Sequence, residues 1–217
     1  MRQTDSTYAL VNSGHAEDSY TEKRYRGMAG ALPRDCRTIL DIGCARGFGG
    51  QFIKEQFPGA ELLGVDCCDE KVAVLPRSVY SRGWVTDDLS ATPSSLRVDG
   101  IVAGEMIEHL RQEDVRPFLA ACFSRLNAGG RLVLTTPNPS YLWIRMRGKK
   151  VTDIETHQSE HSVADLTREL ESIGFRNIRT TACGRVSALI GPWFWRVAPA
   201  FYGAYMLVAE KANPSKP

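Results

Sequence analysis

The sequence predicts an α/β fold in which helices cover both faces of a mostly parallel sheet. Short apolar runs alternate along the chain with stretches of helical periodicity, which is the pattern of a doubly wound sheet. A length of 217 residues is suitable for one well-buried domain. Because no internal repeat or linker divides the sequence, we expect a single domain over residues 1–217.

The first half of the chain supplies four predicted strands and one helix. Apolar runs at 38–42 and 61–65 predict the first two strands, and helical spacing predicts a helix over about 49–56 between them. Residues 79–85 and 99–103 predict the third and fourth strands. The alternation of strand and helix places these strands side by side and parallel.

The second half of the chain continues the same alternation. Apolar residues at helical spacing predict a helix over 106–126, and the run at 131–136 predicts the fifth strand. Residues 162–174 predict an amphipathic helix that begins after a capping serine and ends at a glycine. Residues 176–182 and 204–209 predict two closing strands.

Composition narrows the class of protein. A net charge of +2 and an isoelectric point near 8.2 are too mild for a typical nucleic-acid-binding protein. No apolar run reaches the roughly 18 residues of a membrane helix, and no signal-peptide pattern is seen, so we expect a cytoplasmic protein without a membrane partner. The six cysteines lack metal-ligand spacing and are expected to be buried thiols. Residues 1–17 and 213–217 are expected to be loosely held.

A glycine-rich loop follows the first predicted strand. The sequence ILDIGCARGFGG, residues 39–50, combines a strand, a glycine turn and a helix start, where free N–H groups can meet a polar ligand. Asp66 ends the next strand at the distance where a carboxylate can accept ribose hydroxyls. The acidic pair 87–88 follows the third strand, within reach of an adenine amino group. A nicotinamide-dependent dehydrogenase would also carry a strand-end acid, but its G-x-G-x-x-G spacing is not present.

With these motifs, residues 20–210 resemble the class I S-adenosylmethionine-dependent methyltransferases. DIGCARG resembles the D-x-G-C-G-x-G loop of that family, with Ala45 in place of a glycine. The resemblance implies a Rossmann-like sheet of seven strands whose last strand, near 204–209, is antiparallel. It assigns the ribose to Asp66 and the adenine to Asp88 and Leu89. The full set of residues that it implies for the S-adenosyl-L-methionine site is Asp41, Gly43, Cys44, Ala45, Gly47, Asp66, Asp88, Leu89 and Glu105.

The stretch GEMIEHL, residues 104–110, concentrates acid–base chemistry after the fourth strand. On a helix, Glu105, Glu108 and His109 would stand at i, i+3 and i+4 and converge on one side. The carboxyl end of a strand is also where open α/β sheets bind ligands. An acid at a helix N-terminus interacts favourably with the helix dipole, which alone can explain Glu105 but explains the other two less well.

GEMIEHL resembles the E-x-x-E-H stretch of two metal-assisted O-methyltransferase groups, which act in the ubiquinone pathway and on small-RNA termini. That resemblance implies a divalent ion, Mg²⁺ or Mn²⁺, held by Glu105, Glu108, His109 and His161. We prefer His161 because it directly precedes the helix at 162–174, although His157 remains an alternative. A metal lowers the pKa of a hydroxyl and positions its oxygen. Glu105, His109 and His161 are the expected catalytic residues, and either histidine is the candidate general base if no metal binds.

Two segments outside the common core are expected to select the acceptor. Residues 137–160 carry a basic run, and residues 186–202 carry the aromatic cluster 193–195. The aromatic rings can stack on a sugar or base, pack onto the sheet, or form a homodimer contact. We expect O-methylation of a hydroxyl on a saccharide or other polar small molecule. Alternatives are RNA-terminal 2′-O-methylation, N- or C-methylation in secondary metabolism, and an inactive cofactor-binding partner subunit.

Overall fold

The computed structural model describes residues 20–184, 187 and 191–213, and within them a seven-stranded sheet has the order β3-β2-β1-β4-β5-β7-β6. The strands are β1 (Thr38–Ile42), β2 (Glu61–Asp66), β3 (Arg82–Val85), β4 (Val98–Gly104), β5 (Leu126–Pro137), β6 (Phe175–Cys183) and β7 (Ala204–Lys211). Strands β1 to β5 pair in parallel, and β7 runs antiparallel between β5 and β6. The predicted seven-stranded sheet with an antiparallel last strand is confirmed.

Six α-helices lie entirely within the described residues and connect and cover the strands. They are α1 (Thr21–Ala31), α2 (Phe48–Gln56), α3 (Asp69–Ala73), α4 (Gln112–Arg125), α5 (Leu142–Met146) and α6 (Val163–Ile173). Short 3₁₀ turns lie at Ile107–His109, Val151–Asp153, Trp193–Arg196 and Pro199–Phe201. The expectations for residues 1–17, and for all but the first residue of 213–217, fall outside the described residues.

Alternating side chains of the strands supply two apolar cores, one on each face of the sheet. Ile39 and Leu62 pack with α1 and α2, whereas their neighbours Leu40 and Leu63 belong to the core under α4 and α6. This alternation follows from the twofold periodicity of a strand. Burial on both faces explains why these strands read as continuous apolar runs rather than alternating ones.

The helix predicted over 106–126 is instead two elements. A 3₁₀ turn covers Ile107–His109, and α4 begins only at Gln112, after an extended connection. One carbonyl group of the turn and one of the connection accept hydrogen bonds from a distant segment of the chain. Ser159 Oγ donates to the Leu110 carbonyl at 2.7 Å, and the Gln158 and Ser159 amides donate to the Glu108 carbonyl at 2.8 and 3.1 Å. Since long-range bonds replace the helical ones, periodicity alone could not reveal this break.

The predicted aromatic cluster 193–195 divides between the core and the surface. Trp195 is buried, lies parallel to Tyr205 with ring centroids 6.0 Å apart, and donates its indole N–H to Thr180 Oγ1 at 3.2 Å. Trp193 and Phe194 are exposed, with ring centroids 4.3 Å apart. Packing onto the sheet is therefore correct for Trp195 only. Within the described residues, no helix combines the length and the apolar character needed to cross a bilayer.

Candidate functional site

A cavity of about 360 Å³ opens at the carboxyl ends of the central strands. Its walls come from the loops that follow β1, β2, β3 and β4, and from one face of α1. This is the edge at which open α/β sheets bind ligands, and the volume is within the usual range of small-molecule sites. The adjacent loops GCARG and GEMIEHL thus border one cavity.

The glycine loop after β1 has a tightly constrained backbone. Gly43, Ala45 and Gly47 all adopt left-handed φ values, of 74°, 47° and 86°. Ala45 does so without the freedom of glycine, at a cost of about 1–2 kcal/mol. Its amide donates to Asp66 Oδ2 at 2.9 Å, which holds the loop against the end of β2. The departure from the usual glycine is therefore accommodated by a bond to the predicted ribose-binding acid.

The predicted glycines of the loop do not both border the cavity. Gly43 does, together with Cys44 and Ala45. Gly47 does not, because it precedes α2 and packs so closely that a Cβ would lie 2.8 Å from both Pro76 and Tyr80. Gly47 is therefore needed for packing, and its contact with the cofactor stays a prediction.

Asp66 lies in the cavity wall as predicted. Its Oδ1 accepts the Cys68 amide at 3.0 Å, and its Oδ2 accepts the Ala45 amide at 2.9 Å. A carboxylate offers about four acceptor positions, so two backbone bonds leave capacity for ligand hydroxyls. The side chain is thus fixed in place and still able to accept.

Asp41 lies behind the glycine loop and does not border the cavity. Its carboxylate accepts the hydroxyls of Tyr25 at 3.1 Å and Tyr80 at 2.5 Å. Complete burial raises the pKa of Asp41 to about 7, although both tyrosine bonds act in the opposite direction. Asp41 thus links α1 and the segment before β3 to β1, and its contact with the cofactor stays a prediction.

The acid at the end of β3 that faces the cavity is Asp87, not Asp88. Asp87 and Thr86 border the cavity. Asp88 Oδ1 instead accepts Thr86 Oγ1 at 2.9 Å and the Ser90 amide at 2.8 Å, as in a local turn. Leu89 is buried in the core with φ 67°. Of the acidic pair, Asp87 is thus the member that borders the cavity, and the adenine contacts of Asp88 and Leu89 stay predictions.

Two cationic side chains in the cavity wall were not predicted. Arg24 lies on α1, with its Nε 3.8 Å from Glu105 Oε1. Lys71 lies on α3, is buried, and borders the cavity with Asp66. Helix α1 escaped prediction because charged residues interrupt its narrow apolar stripe. The sequence carries no signal that distinguishes a buried lysine such as Lys71 from an exposed one.

Glu105 borders the cavity from a sharp bend at the end of β4. Its φ is 51°, and its amide donates to the Thr135 carbonyl at 3.0 Å. Such a conformation is uncommon for a residue other than glycine and is typical of functional sites. The bend, rather than helical spacing, brings Glu105 and Glu108 to the same region.

Glu108, His109 and His157 form the polar cluster of the site. Each offers one ligand atom, and these atoms lie within 4.8 Å of one another. Glu108 is 1% exposed. Its Oε2 accepts Thr136 Oγ1 at 3.0 Å, whereas Oε1 is buried without a hydrogen-bond partner among the described residues. Burial raises the pKa of Glu108 well above its ordinary value, and the nearby charge of Glu105 raises it further.

The two histidines of this cluster are held in the same tautomer. His109 Nδ1 lies 2.8 Å from the Thr156 carbonyl, and His157 Nδ1 lies 3.1 Å from the Val151 carbonyl. Since a carbonyl oxygen only accepts, each Nδ1 carries the hydrogen and each Nε2 carries the lone pair. The rings meet edge to face with centroids 5.0 Å apart. A buried carboxylate oxygen and two imidazole lone pairs are a donor set suited to a divalent cation.

His161 is not part of this cluster, contrary to our preference. Its Nε2 lies 2.8 Å from Ser159 Oγ, and it borders a separate pocket of about 90 Å³ between α4 and α6. Burial lowers the pKa of His161, although a hydrogen bond to the Ile107 backbone raises it. His161 therefore supports the 3₁₀ turn from behind, and the alternative His157 faces the cavity.

Comparison with known proteins is consistent with this geometry. Residues 16–180 match the profile of the methyltransferase domain family. A probable S-adenosylmethionine-dependent methyltransferase of Mycolicibacterium smegmatis is 30% identical over 75% of this chain and 62% of its own length. The human mitochondrial ubiquinone biosynthesis O-methyltransferase is 28% identical over 77% of this chain and 49% of its own length. The aligned regions thus span about half to three-fifths of these two relatives.

Solved structures show the same fold at lower identity. A SAM-dependent methyltransferase from Archaeoglobus fulgidus superposes with a TM-score of 0.71 at 21% identity, over 95% of this chain and 100% of that one. The plantazolicin methyltransferase BpumL, solved with SAH and a triazolic desmethylPZN analog, gives 0.66 at 16% identity, over 98% and 91%. The [4+2]-cyclase SpnF also gives 0.66, at 13% identity, over 93% and 85%. The fold is therefore shared with proteins of more than one named activity.

Proposed function

This chain belongs to the S-adenosylmethionine-dependent methyltransferase family, and on that premise we propose that it is an O-methyltransferase acting on a hydroxyl of a polar small molecule. One observation carries the proposal. The cluster of Glu108, His109 and His157 borders the same cavity as the glycine loop. A methyl donor and the groups that activate a hydroxyl can therefore act on one acceptor.

The cavity walls match the parts of S-adenosylmethionine by charge. Asp66 keeps acceptor capacity for the ribose hydroxyls, and Asp87 offers an acceptor for the adenine amino group. At the other end, Arg24 is suited to the methionyl carboxylate, and Glu105 is suited to the methionyl ammonium. The cofactor supplies an electrophilic methyl group on its sulfonium. In this proposal these residues bind and orient the cofactor.

A divalent cation fits the polar cluster, with Glu108, His109 and His157 as the residues that would hold it. The fit rests on the buried Oε1 of Glu108 and on the two histidine tautomers. Such an ion would lower the pKa of an acceptor hydroxyl and position its oxygen. Two imidazoles with one carboxylate favour Mn²⁺ or Fe²⁺ over Mg²⁺, which prefers oxygen ligands. Without an ion, Nε2 of His109 or His157 is the candidate general base.

The polar character of the cluster supports an acceptor that carries a hydroxyl group. A saccharide or another polyhydroxylated molecule needs a hydroxyl to be activated, which is the chemistry that this cluster offers. Curated relatives include ubiquinone biosynthesis O-methyltransferases, and a hydroxyl acceptor is consistent with their names. RNA-terminal 2′-O-methylation is the second candidate, with N- or C-methylation and an inactive cofactor-binding subunit as further alternatives.

Methyl transfer to a panel of sugars, other polyols and an RNA oligonucleotide tests the proposal. S-adenosylhomocysteine formation should depend on the acceptor, stop after chelation, and return when Mn²⁺ is added. S-adenosylmethionine should still bind after chelation, because its proposed contacts are separate from the cluster. Turnover that continues after chelation would favour a histidine as the general base. No binding of S-adenosylmethionine would refute the enzyme assignment.

A further inference from the structure

A second feature lies outside the cavity and is not used by the proposed chemistry. Helix α5 has the sequence LWIRM, yet none of its five residues is buried. An apolar helix normally covers a core with at least one face, so an uncovered one indicates an external partner. The turns Trp193–Arg196 and Pro199–Phe201 contact each other, and the second of them contacts α5.

Together these three elements present what we call the aromatic–basic surface. Its apolar members are strongly exposed: Trp143 55%, Met146 73%, Trp193 71%, Val197 80% and Phe201 57%. The surface is firmly attached to the sheet. Asn138 Nδ2 donates to the Pro199 and Tyr202 carbonyls at 3.0 and 2.9 Å, and Tyr202 Oη donates to the Gly191 carbonyl at 2.8 Å. The apolar side chains are therefore displayed by a fixed scaffold.

Basic side chains accompany the apolar ones, and acidic residues follow only after the basic run, at Asp153 and Glu155. Exposed cations lie in and next to the two segments: Arg145, Arg147, Lys149, Lys150 and Arg196. No aspartate or glutamate occurs in 138–152 or in 191–209. The guanidinium of Arg147 lies over the Trp143 ring, 4.5 Å from its centroid, so charge and aromatic surface are interleaved. Local charge thus differs from the nearly neutral whole chain.

From this combination we infer that the aromatic–basic surface binds the headgroup region of an anionic lipid bilayer. Tryptophan and aliphatic side chains enter the membrane interface, while arginine and lysine meet anionic headgroups. Our expectation of no membrane partner rested on the missing spanning segment, and a surface-bound protein needs none. The inference goes beyond the proposed function, because lipid binding requires neither turnover nor the polar cluster.

Other partners fit this surface less well. In a symmetric dimer, the aromatic–basic surface of one copy would face the same surface of the other, so that cations would lie opposite cations. RNA would use the arginines and tryptophans but would leave Met146 and Val197 in contact with water. An anionic bilayer satisfies both the aliphatic and the basic side chains. Val151–Asp153 then leads from this surface to His157 in the cavity wall.

Co-flotation with lipid vesicles tests the inference. The full chain should float with vesicles of phosphatidylcholine and phosphatidylglycerol, and only weakly with phosphatidylcholine alone. Raising the salt concentration should release it. Arg145→Gln with Lys149→Gln should weaken binding roughly thirtyfold, from about 1 kcal/mol for each basic side chain. The matched pair Arg34→Gln with Arg77→Gln, exposed elsewhere, should bind like the unmodified protein.

A second set of variants tests how much the apolar side chains contribute to vesicle binding. Trp143→Ser with Val197→Ser should reduce flotation severalfold, whereas Val74→Ser, at an exposed site outside the surface, should not. S-adenosylhomocysteine binding by calorimetry verifies that each variant is folded. Equal flotation with both vesicle types, an unchanged surface variant, or tighter binding to an RNA oligonucleotide than to anionic vesicles would overturn the inference. So would concentration-dependent dimerisation that Trp143→Ser abolishes.

Discussion

Among single residues, Asp66 carries the cofactor assignment most directly, because its carboxylate faces the cavity and also holds Ala45. Asp66→Asn removes the charge while keeping the shape. We expect it to weaken S-adenosylmethionine binding by about 1.5–3 kcal/mol, the usual contribution of hydrogen bonds to a charged group. Isothermal calorimetry measures the change. Asp88→Asn is the control, and an equal loss there would show that Asp88, as well as Asp66, contacts the cofactor. An unchanged affinity of Asp66→Asn would contradict the ribose assignment.

The two histidines after the basic run are predicted to differ in kind. His157→Ala should raise the Mn²⁺ concentration needed for turnover, or weaken Mn²⁺ binding measured by calorimetry, since a proposed ligand is lost. His161→Ala should instead lower the thermal unfolding temperature, because it removes a buried bond to Ser159 and leaves a cavity. If His161→Ala abolished Mn²⁺ binding while the protein stayed folded, the result would support the metal site implied by the sequence, which is formed by Glu105, Glu108, His109 and His161.

At the scale of elements, the 3₁₀ turn Ile107–His109 depends on the extended segment 157–161 that crosses it. Ser159 connects the two, since its hydroxyl donates to the Leu110 carbonyl and also meets His161. Ser159→Ala should cost about 1–3 kcal/mol of unfolding free energy by leaving buried groups unpaired. It should also weaken Mn²⁺ binding, because the turn carries Glu108 and His109.

A neighbouring serine provides the control for this element. Ser162 caps α6 by accepting the Asp165 amide at 3.1 Å, away from the turn. Ser162→Ala should cost about 1 kcal/mol of stability, the usual loss of a helix cap. Urea unfolding compares the two stabilities, and calorimetry compares Mn²⁺ affinity. Equal Mn²⁺ affinity in both variants would show that the turn does not need this support.

For the whole molecule, Asp41 couples stability to pH. Its pKa is raised to about 7 by burial, above the ordinary value in the unfolded chain. The folded state therefore holds the proton more tightly. This tighter binding of the proton adds roughly 4 kcal/mol to the free energy of unfolding. The added stability is fully present below about pH 4 and is lost as the pH rises through about 7. The side chain of Asp41→Asn does not titrate, so the variant does not lose this stability. Its free energy of unfolding relative to that of the unmodified protein should therefore rise between about pH 4 and about pH 7.

Urea unfolding of both proteins across this pH range measures the effect. The comparison uses the difference between variant and unmodified protein, because other groups titrate equally in both. A difference that stays constant with pH would mean that Asp41 remains ionised in the folded state. In that case the tyrosine hydrogen bonds would outweigh its burial.

The amino-acid sequence by itself determined the strands, the sheet class and the position of the cavity. Apolar runs identify β1, β2, β4 and β5 because strands buried on both faces must be apolar throughout. The glycine loop and Asp66 could be identified because a tight turn and a strand-end acid are local features. The family resemblance implied seven strands with an antiparallel last strand, which is confirmed, whereas the order of the strands comes from the structure alone.

Only the tertiary structure decided which polar residues share the site. Asp87 borders the cavity while Asp88 does not, and His157 rather than His161 lies beside Glu108 and His109, because orientation at a strand end or along an extended segment changes from one residue to the next. Arg24 enters the cavity through a helix whose apolar stripe is too narrow to detect. The break in the predicted helix at 106–126 arises from hydrogen bonds supplied some 50 residues later in the chain. Local periodicity cannot report such bonds, since their partners meet only when the sheet has formed.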